Sequence, residues 1–501
     1  MSGSDVLAAV KRFTTADVRD GVVDAVTALL ESANISPGEI AAVMIGTTQF
    51  VNAFVQRKDL VPVAAIRIAL PMGDGVPPFS GWPEDAVAKV RGTAEIVGGG
   101  SYYDGRDYRV LDAEGLRRAA LDAAALGIDS FAVSATFSPI RPDIETKGRA
   151  IIEQAVPGAI VTISSDLGGV GLLDRENAGI VNASLRPLAA RVVASLETAI
   201  TQLNIHAPIY ITQNDGTLID TGVAASLPIL TCSAGPTNSI RGAALLTGLQ
   251  DAIVADIGGT TTDIGFLRRG FPRETTSPNR IGGVRTNFRM PDVLSLAMGG
   301  GSIVAKGGNG WRVGPTSVGF RLQDKGIIFG GDTLTATDIA VRAGYAHLGD
   351  PSRLENLTSE DVEAILDDMH AQVEEGIDQV KVSAAPLPLI LVGGGNILLS
   401  RALRGTSETL RPRHAEVANA VGAAIAMASG RVNRLFDVAS LGRDTALEQA
   451  KQEAIAAAVT AGAVPGQVEI VDLEELPMTH MKTGSAQIRV RAVGPLAAAM
   501  N

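Results

Sequence analysis

Asp256-Ile-Gly-Gly-Thr-Thr-Thr-Asp-Ile-Gly265 decides how this chain is read. The apolar run Ala252 to Ala255 leads into it as a short buried strand, and Ile264 to Leu267 starts a second one. Between them two glycines and three threonines make a tight turn. The pattern predicts a β-hairpin carrying a phosphate loop. Glycines let backbone N–H groups approach a polyphosphate, threonine hydroxyls add donors, and the carboxylates of Asp256 and Asp263 can hold Mg2+ directly or through water. Taken alone, the stretch is also compatible with a plain glycine turn, with Thr as a strand residue and Asp as a turn residue.

Composition bounds the rest. A chain of 501 residues, 46% hydrophobic but only 4% aromatic, with 56 glycines, suits α/β layers with close helix-on-sheet packing. Acidic residues outnumber basic ones by 54 to 43, and the net charge of -11 argues against nucleic acid or an anionic membrane as the main partner. The single cysteine, Cys232, rules out an intramolecular disulfide within this sequence and fits a reducing compartment. The first thirty residues show no basic-then-apolar signal pattern, and no run of eighteen apolar residues occurs. The expectation is a cytoplasmic enzyme or subunit.

Strand-sized and helix-sized periods alternate along the chain. Residues 5–12 alternate weakly like an edge strand, and Thr14-Thr-Ala-Asp17 precedes a helical spacing that begins at Val18. The strand Ala41–Ile45 ends in Gly46-Thr47-Thr48, and a helix opens through Asn52, the place where α/β sheets bind ligands. Thr47, Thr48 and Asn52 are therefore candidates, against a reading of Thr as helix cap and Asn52 as a solvated side chain. Residues 71–84 are too rich in Pro and Gly for regular structure. A strand at Ile209–Gln213 runs into Asn214-Asp215-Gly216-Thr217. Further on come the basic patch Arg280–Arg289, a helix-like Val293–Ala297 closed by Gly299-Gly-Gly-Ser302, and a helix entered through Thr337. Strand Leu387–Val392 ends in Gly393-Gly394-Gly395, where three glycines let a nucleotide's base or ribose lie against the backbone. A helix at Glu416–Ser429 precedes a tail with an alanine-rich helix and two strands.

No glycine loop ends in G-K-[ST], and neither H-E-x-x-H nor G-x-S-x-G occurs. The five histidines lack ligand spacing, and no G-x-G-x-x-G follows a strand.

Gly46-Thr-Thr-x-x-x-Asn52, Asn214-Asp-Gly-Thr217, Ser233-Ala-Gly-Pro-x-x-Ser239, Asp256-Ile-Gly-Gly-Thr-Thr-Thr-Asp263, Gly299-Gly-Gly-Ser302, Gly330-Gly-Asp-x-Leu-Thr-x-Thr-Asp338 and Val392-Gly-Gly-Gly395 stand in an order that resembles the hydantoinase/oxoprolinase family, specifically its short hydantoinase A-type subunit. The resemblance implies an α/β fold of the actin-like ATPase kind, with two ribonuclease-H-like domains, a central cleft and a small C-terminal α/β lobe. The expected boundaries are 1–175, 176–430 and 431–501. It also implies ATP and Mg2+ as cofactors, and opening of a cyclic amide such as a hydantoin or 5-oxoproline through a phosphorylated intermediate. A hydantoinase B-type subunit or a homo-oligomer is the implied assembly.

Carried over by position, Gly258, Gly259, Thr260 and Thr261 match a phosphate loop, with Asp256 and Asp263 as the metal carboxylates. Gly393, Gly394 and Gly395 match the adenosine side. Thr47, Thr48 and Asn52 match substrate-facing cleft motifs, while Asn214, Asp215 and Asp256 match catalytic positions, Asp215 as the group that orients a water or the amide.

The sequence departs from the family pattern in two places. A first D-x-G-G-T loop is absent, and Met1-Ser-Gly-Ser-Asp5 stands where the strand after it would lie, so codons upstream of Met1 are expected to encode it. In Ser138–Glu145, Arg141 and Ile144 replace an Asn and a His common in relatives, and Ser165-Asp166 replaces a His-Glu pair. A catalytically impaired partner subunit and a small-molecule kinase of the same fold remain alternatives.

Overall fold

The computed structural model describes residues 1–12, 18–169, 171–275, 279–288, 290–308, 310–477 and 484–497. Helix α1 (Val18–Ala33) is followed by β1 (Val43–Ile45), α2 (Gln49–Gln56), β2 (Val63–Leu70), α3 (Glu84–Val90), β3 (Arg91–Gly98), α4 (Ala113–Ala125), β4 (Ser130–Ala135), α5 (Pro142–Ala155) and β5 (Ile160–Ile163). The long α6 (Leu172–Gln202) leads to β6 (Ile209–Thr212), β7 (Thr217–Asp220), α7 (Thr221–Ser226) and α8 (Ala234–Thr247). Then come β8 (Ala252–Ile257), β9 (Thr262–Arg268), β10 (Phe271–Pro272), β11 (Asn279–Ile281), β12 (Val284–Thr286), β13 (Val293–Leu296), β14 (Ser302–Gly307) and β15 (Gly310–Ser317). The chain continues through α9 (Leu322–Lys325), α10 (Ala336–Arg342), α11 (Ser359–Val380), β16 (Leu387–Val392), β17 (Thr406–Leu410) and α12 (Ala418–Ala424). It closes with β18 (Met427–Asp437), α13 (Val438–Leu441), α14 (Arg443–Thr460), β19 (Glu469–Pro477) and β20 (Ser485–Gly494).

Three larger sheets organise these elements. One runs β10-β9-β8-β16-β17, with β13 added on β9; β8, β9 and β13 form an antiparallel meander, while β16 and β17 run parallel to β8. The second runs β1-β6-β7-β18-β20-β19. The third, β3-β2-β4-β5, is all parallel and covered by helices, and its central strands β2 and β4 are buried almost throughout. This is the two-domain ATPase-like architecture that the resemblance implies. The sheets do not follow the expected boundaries at 175/176 and 430/431, because β1 pairs with β6 and β18 pairs with β7 across long stretches of chain. The C-terminal lobe, built on β18, β19, β20 and α14, is continuous with the sheet of β6 and β7.

Local reading fails where pairing partners are remote. Val293–Ala297, expected as helical, is the strand β13, with Val293 opposite Gly265 and Ser295 opposite Asp263. Five residues cannot distinguish a helical from a strand period, and both faces of β13 are apolar: Leu294 and Leu296 pack on one core, Val293 on another. Glu416–Ser429, expected as one helix, stops at Ala424, and Met427 begins a strand that pairs with β20 over ten residues. Residues 5–12 contain no strand, only the isolated bridge from Ser2 to Asp5, while the expected cap at Thr14–Asp17 lies outside the described residues. Helix α11 has no local motif to announce it, although Val362, Ile365, Leu366, Met369, Val373, Ile377 and Val380 recur at helical spacing. Among the described residues no helix is long and apolar enough to cross a membrane.

The two sheets nearest the phosphate loop are joined through α8 and α12, which cross backbone to backbone. A Cβ on Gly242 would collide with the Ala418 carbonyl, and one on Gly422 with the Asn238 carbonyl. Gly422→Ala is therefore expected to lose about 1–3 kcal/mol in urea unfolding, against a helix-propensity gain of about 1 kcal/mol. Gly38→Ala, where nothing stands within 4 Å, is expected to stay within about 0.5 kcal/mol of wild type. Equal stability of the two variants would contradict the crossing.

Candidate functional site

The β8–β9 hairpin forms as its sequence predicts. Asp256 pairs with Asp263 and Ile257 with Thr262, so the two carboxylates stand at the same level on adjacent strands. Gly258 N donates to Thr261 O at 2.8 Å and closes the turn. Gly259, Thr260 and Thr261 are exposed, and their N–H groups meet no acceptor among the described residues. Open donors at a glycine turn are what an anion needs.

The turn is braced from behind. Gly300 N donates to Gly258 O at 3.0 Å and Gly301 N to Gly259 O at 2.7 Å, while Thr262 Oγ1 donates to Met298 O at 2.6 Å. A Cβ on Gly299 would stand 2.7 Å from Thr260 N, so this glycine permits direct backbone contact with the loop. Thr337 secures the brace with an Oγ1 donation to Gly300 O at 2.8 Å. Helix α10 is capped by Thr335, rather than by the expected Thr337.

Gly393–Gly395 lie against the same hairpin. Val392 pairs with Asp256, and Gly395 N donates to Ile257 O at 2.7 Å. Gly393 adopts φ +81°, and a Cβ on it would strike the Asp256 carboxylate; one on Gly395 would stand 2.9 Å from Gly258 O. Two of the three glycines are thus explained by packing on the phosphate loop itself.

The carboxylates are half-buried, and each has a serine. Ser239 Oγ donates to Asp256 Oδ2 and Ser295 Oγ to Asp263 Oδ1, both at 2.5 Å. Burial raises the Asp256 pKa, against the Ser239 hydroxyl and the charge of Lys11. Burial likewise pushes Asp263 up to about 6, opposed by Ser295 and reinforced by the charge on Asp256. Two enclosed carboxylates of this kind are short of positive charge, and a divalent cation would supply it. Among the described residues no group of three or more His, Cys, Asp or Glu side chains is placed to hold a metal. Mg2+ here would complete its shell with phosphate and water oxygens, as Mg2+ commonly does.

Helix α8 links this loop to the other sheet. At its start Ser233 N donates to Asn214 Oδ1 at 2.6 Å and Thr237 Oγ1 to Asn214 O at 2.7 Å; Asn238 Nδ2 donates to Thr212 Oγ1 at 2.9 Å. One turn on, Ser239 reaches Asp256. Gly46 and Thr48 pack on the same turn: a Cβ on Gly46 would meet the Asn238 amide, and Thr48 Cγ2 lies 2.8 Å from where a Cβ of Gly235 would be. Thr47 Oγ1 accepts from Gln49 N at 3.1 Å, while the exposed Asn52 donates to Thr48 Oγ1 at 3.3 Å. Thr48 thus packs on the start of α8, with Thr47 and Asn52 bonded to the same loop and helix beside it.

Asn214 and Asp215 do not stand free. The amide of Asn214 is used at both ends, Nδ2 donating to Ile229 O at 3.0 Å while Oδ1 accepts from Ser233. Asp215 is buried, paired with Arg431 and 3.6 Å from Arg491 Nη1, and its Oδ1 accepts from Thr217 Oγ1 at 2.6 Å. Burial alone would raise its pKa, but Arg431, then Arg491, then Thr217 hold it well below the ordinary aspartate range. A carboxylate so committed is a poor proton acceptor. Its geometry differs from the substrate-facing role expected of it, because β18 and β20 deliver arginines that no local motif announces. Arg491 continues to Glu274 at 2.8 Å and stacks 5.6 Å from the Phe271 ring, which also carries Arg241 at 4.7 Å.

The departures from the family pattern at Arg141, Ile144 and Ser165 are accommodated internally. Glu145 is buried and accepts from Ala135 N, Ser164 Oγ and Ser165 N at 2.7 to 2.8 Å, and Arg141 pairs with Asp143 and Asp107. Arg285 of the basic patch pairs with Asp174 at 3.1 Å, while Arg289 lies outside the described residues. Sequence reasoning assigned no role to Ser239, Ser295, Arg431, Arg491 or Lys11. Ser239 sat inside a recognised motif; the others carried no local signal.

Comparisons with known proteins bear on the family and the fold. Residues 175–350 match the family model described as hydantoinase/oxoprolinase, and residues 1–156 match that of the hydantoinase/oxoprolinase N-terminal region. The chain is 24% identical over 299 residues to caprolactamase subunit alpha of Pseudomonas jessenii, covering 59% of this chain and 42% of that protein. It is 25% identical over 250 residues to the acetophenone carboxylase gamma subunit of Aromatoleum aromaticum, covering 47% and 34%. Each match thus spans less than half the length of the relative. Among solved structures, the ATP-dependent caprolactamase of Pseudomonas jessenii superposes with a TM-score of 0.73 at 18% identity, covering 98% of this chain and 86% of that one. A nucleotide-free acetone carboxylase superposes with a TM-score of 0.70 at 16% identity, covering 98% and 84%. At such identities the superpositions establish the fold.

Asp215→Asn would leave Arg431 and Arg491 facing a neutral group in a buried site, and is expected to cost about 3–5 kcal/mol of stability at pH 7. Because the folded pKa is depressed, the contribution of Asp215 is full above the unfolded aspartate value of about 3.9 and is lost as pH falls through the folded value. Denaturant unfolding across pH 2–7 should show a shallower acid limb for Asp215→Asn. Parallel limbs would contradict the ion cluster.

Proposed function

Because the chain belongs to the hydantoinase/oxoprolinase family, we propose that it is a subunit of an ATP-dependent enzyme that opens a cyclic amide such as a hydantoin, 5-oxoproline or a larger lactam. The observation that carries this reading is the open Gly258–Thr261 turn flanked by the half-buried Asp256 and Asp263. The N–H groups of Gly259, Thr260 and Thr261 would bind phosphate oxygens, and Asp256 and Asp263 would hold Mg2+. ATP, when bound, would supply a phosphoryl group to the amide oxygen, making the carbonyl carbon electrophilic enough for water to add and the ring nitrogen to depart, with phosphate released as the acid forms.

The chain's own residues position and exclude. Ser239 and Ser295 fix the rotamers of the two carboxylates, and Gly299–Gly301 keep the turn from bending away from a bound phosphate. Thr47, Thr48 and Asn52, on the loop and helix beside α8, are proposed to meet the ring substrate. Asn214 and Asp215 enter the proposal as positioning residues, since both hold the strand ends from which α8 and the cleft are built. A second subunit is proposed to complete the enzyme, because both sequence relatives are named as subunits.

The match to an acetophenone carboxylase subunit favours a second reading, in which the same site activates a carbonyl compound for carboxylation. The products separate the possibilities. With Mg-ATP and a panel of cyclic amides, the protein purified with its bound subunits is expected to release phosphate together with a ring-opened acid. Incorporation of labelled bicarbonate into a ketone would favour the second reading, and an accumulating phosphorylated small molecule would make the protein a kinase. Asp256→Asn is expected to lower turnover about a hundredfold or more.

Proton competition gives a further check. Asp263 titrates near 6 without a cation, so Mg2+ must displace its proton below that pH. Apparent Mg2+ affinity, followed by calorimetry, is expected to rise from pH 5 to pH 7, and Asp263→Asn is expected to flatten that rise. A pH-independent affinity in the wild-type protein would remove Asp263 from the metal site.

A further inference from the structure

Lys11 stands in none of the motifs that mark the nucleotide site, yet its ammonium group lies within it. A Cβ built on Gly394 would overlap Lys11 Nζ, so the ammonium occupies the space that the middle glycine of the Gly393–Gly395 triplet leaves open. Packing on the hairpin accounts for Gly393 and Gly395, whereas a Cβ on Gly394 would meet within 4 Å, among the described residues beyond its chain neighbours, the Lys11 side chain alone, Nζ and Cε. The charge of Lys11 also acts on Asp256 across the same gap. The lysine remains exposed, which leaves its nitrogen accessible to a ligand.

The neighbouring residue is held by α1. Arg12 pairs with Asp24 of α1 at 3.0 Å, tying the segment to the helix that follows. Lys11, the residue before it, stands instead against Gly394. Among the described residues the cation whose charge acts on Asp256 is Lys11, and Gly258–Thr261 carry no basic side chain. A polyphosphate approaching Asp256 and Asp263 meets two carboxylates, and a nearby ammonium lessens that repulsion beyond what one Mg2+ supplies.

We propose that Lys11 is a phosphate-binding residue of the nucleotide site, its ammonium contacting the β- or γ-phosphate oxygens of a nucleotide held by the Gly258–Thr261 turn, and that position 394 is glycine to admit it. The proposal rests on the nucleotide reading of that turn. A lysine acts here as a compact point charge, so arginine should replace it in part and glutamine should not.

The test is calorimetric titration of the full chain with Mg-ATP and with AMP. Lys11→Gln, a change on an exposed side chain, is expected to weaken Mg-ATP binding tenfold or more, about the worth of one hydrogen bond to a charged group, and to leave AMP binding unchanged. Lys11→Arg should recover part of the loss, and Gly394→Ala, which displaces the ammonium, should reproduce it. Mg-ATP binding to Lys11→Gln as tight as to wild type would overturn the proposal while leaving the nucleotide reading intact. An equal loss for ATP and AMP would also overturn it, since the effect would then not lie at the phosphates. Failure of the wild-type protein to bind Mg-ATP would remove the nucleotide reading, and this proposal with it.

Discussion

The backbone contact between α8 and α12 at Gly242 and Gly422 is the constraint on which the cleft depends. With no side chain between them, the two helices approach to a distance that fixes the sheets they serve. Helix α8 runs directly into β8 and the phosphate loop, and α12 runs into β18 and the C-terminal lobe. Every group that α8 holds at its N-terminal turn, Asn214, Thr212, the Gly46–Thr48 loop and Asp256, is placed by that crossing. A longer side chain at either glycine would move the phosphate loop relative to the strand ends it faces.

Two clusters of charge lie near α8, and they differ in how they are neutralised. At Asp215 the protein supplies its own cations, Arg431 and Arg491, and the network runs on through Glu274 to the segment after β10. Such a buried network contributes little net stability over an apolar alternative, while breaking it is costly, so its effect is to hold one arrangement of strands. At Asp256 and Asp263 the protein supplies hydroxyls and one exposed lysine. The first cluster is closed and structural; the second is left short of positive charge, the condition a metal-nucleotide complex would relieve.

The third sheet carries a further buried polar network. Glu145, Ser164 and Arg175 are buried together at the ends of β4 and β5, and Arg67 pairs with Glu176 beneath them. Ile144 and Ser165 flank this network, and the Glu145 carboxylate is satisfied by backbone N–H groups and a serine. Glu145 is thereby a packing element, its acceptors filled from within the chain.

The sequence by itself determined the hairpin, its loop and the family. Asp256 to Gly265 is a local signal, because a turn of fixed length between two apolar runs needs no distant partner to form, and the ordered motifs around it specify the ATPase-like fold. The short element Val293–Ala297 and the boundary after Ala424 were not legible, since each was decided by pairing with strands far along the chain. The tertiary structure alone decided what surrounds the chemistry. It withdrew Asp215 from the open cleft by bringing Arg431 and Arg491 to it, gave Asp256 and Asp263 their serines, and set Lys11 against Gly394. Those outcomes depend on charge and burial between residues tens to hundreds of positions apart, and no periodicity or motif encodes such distances.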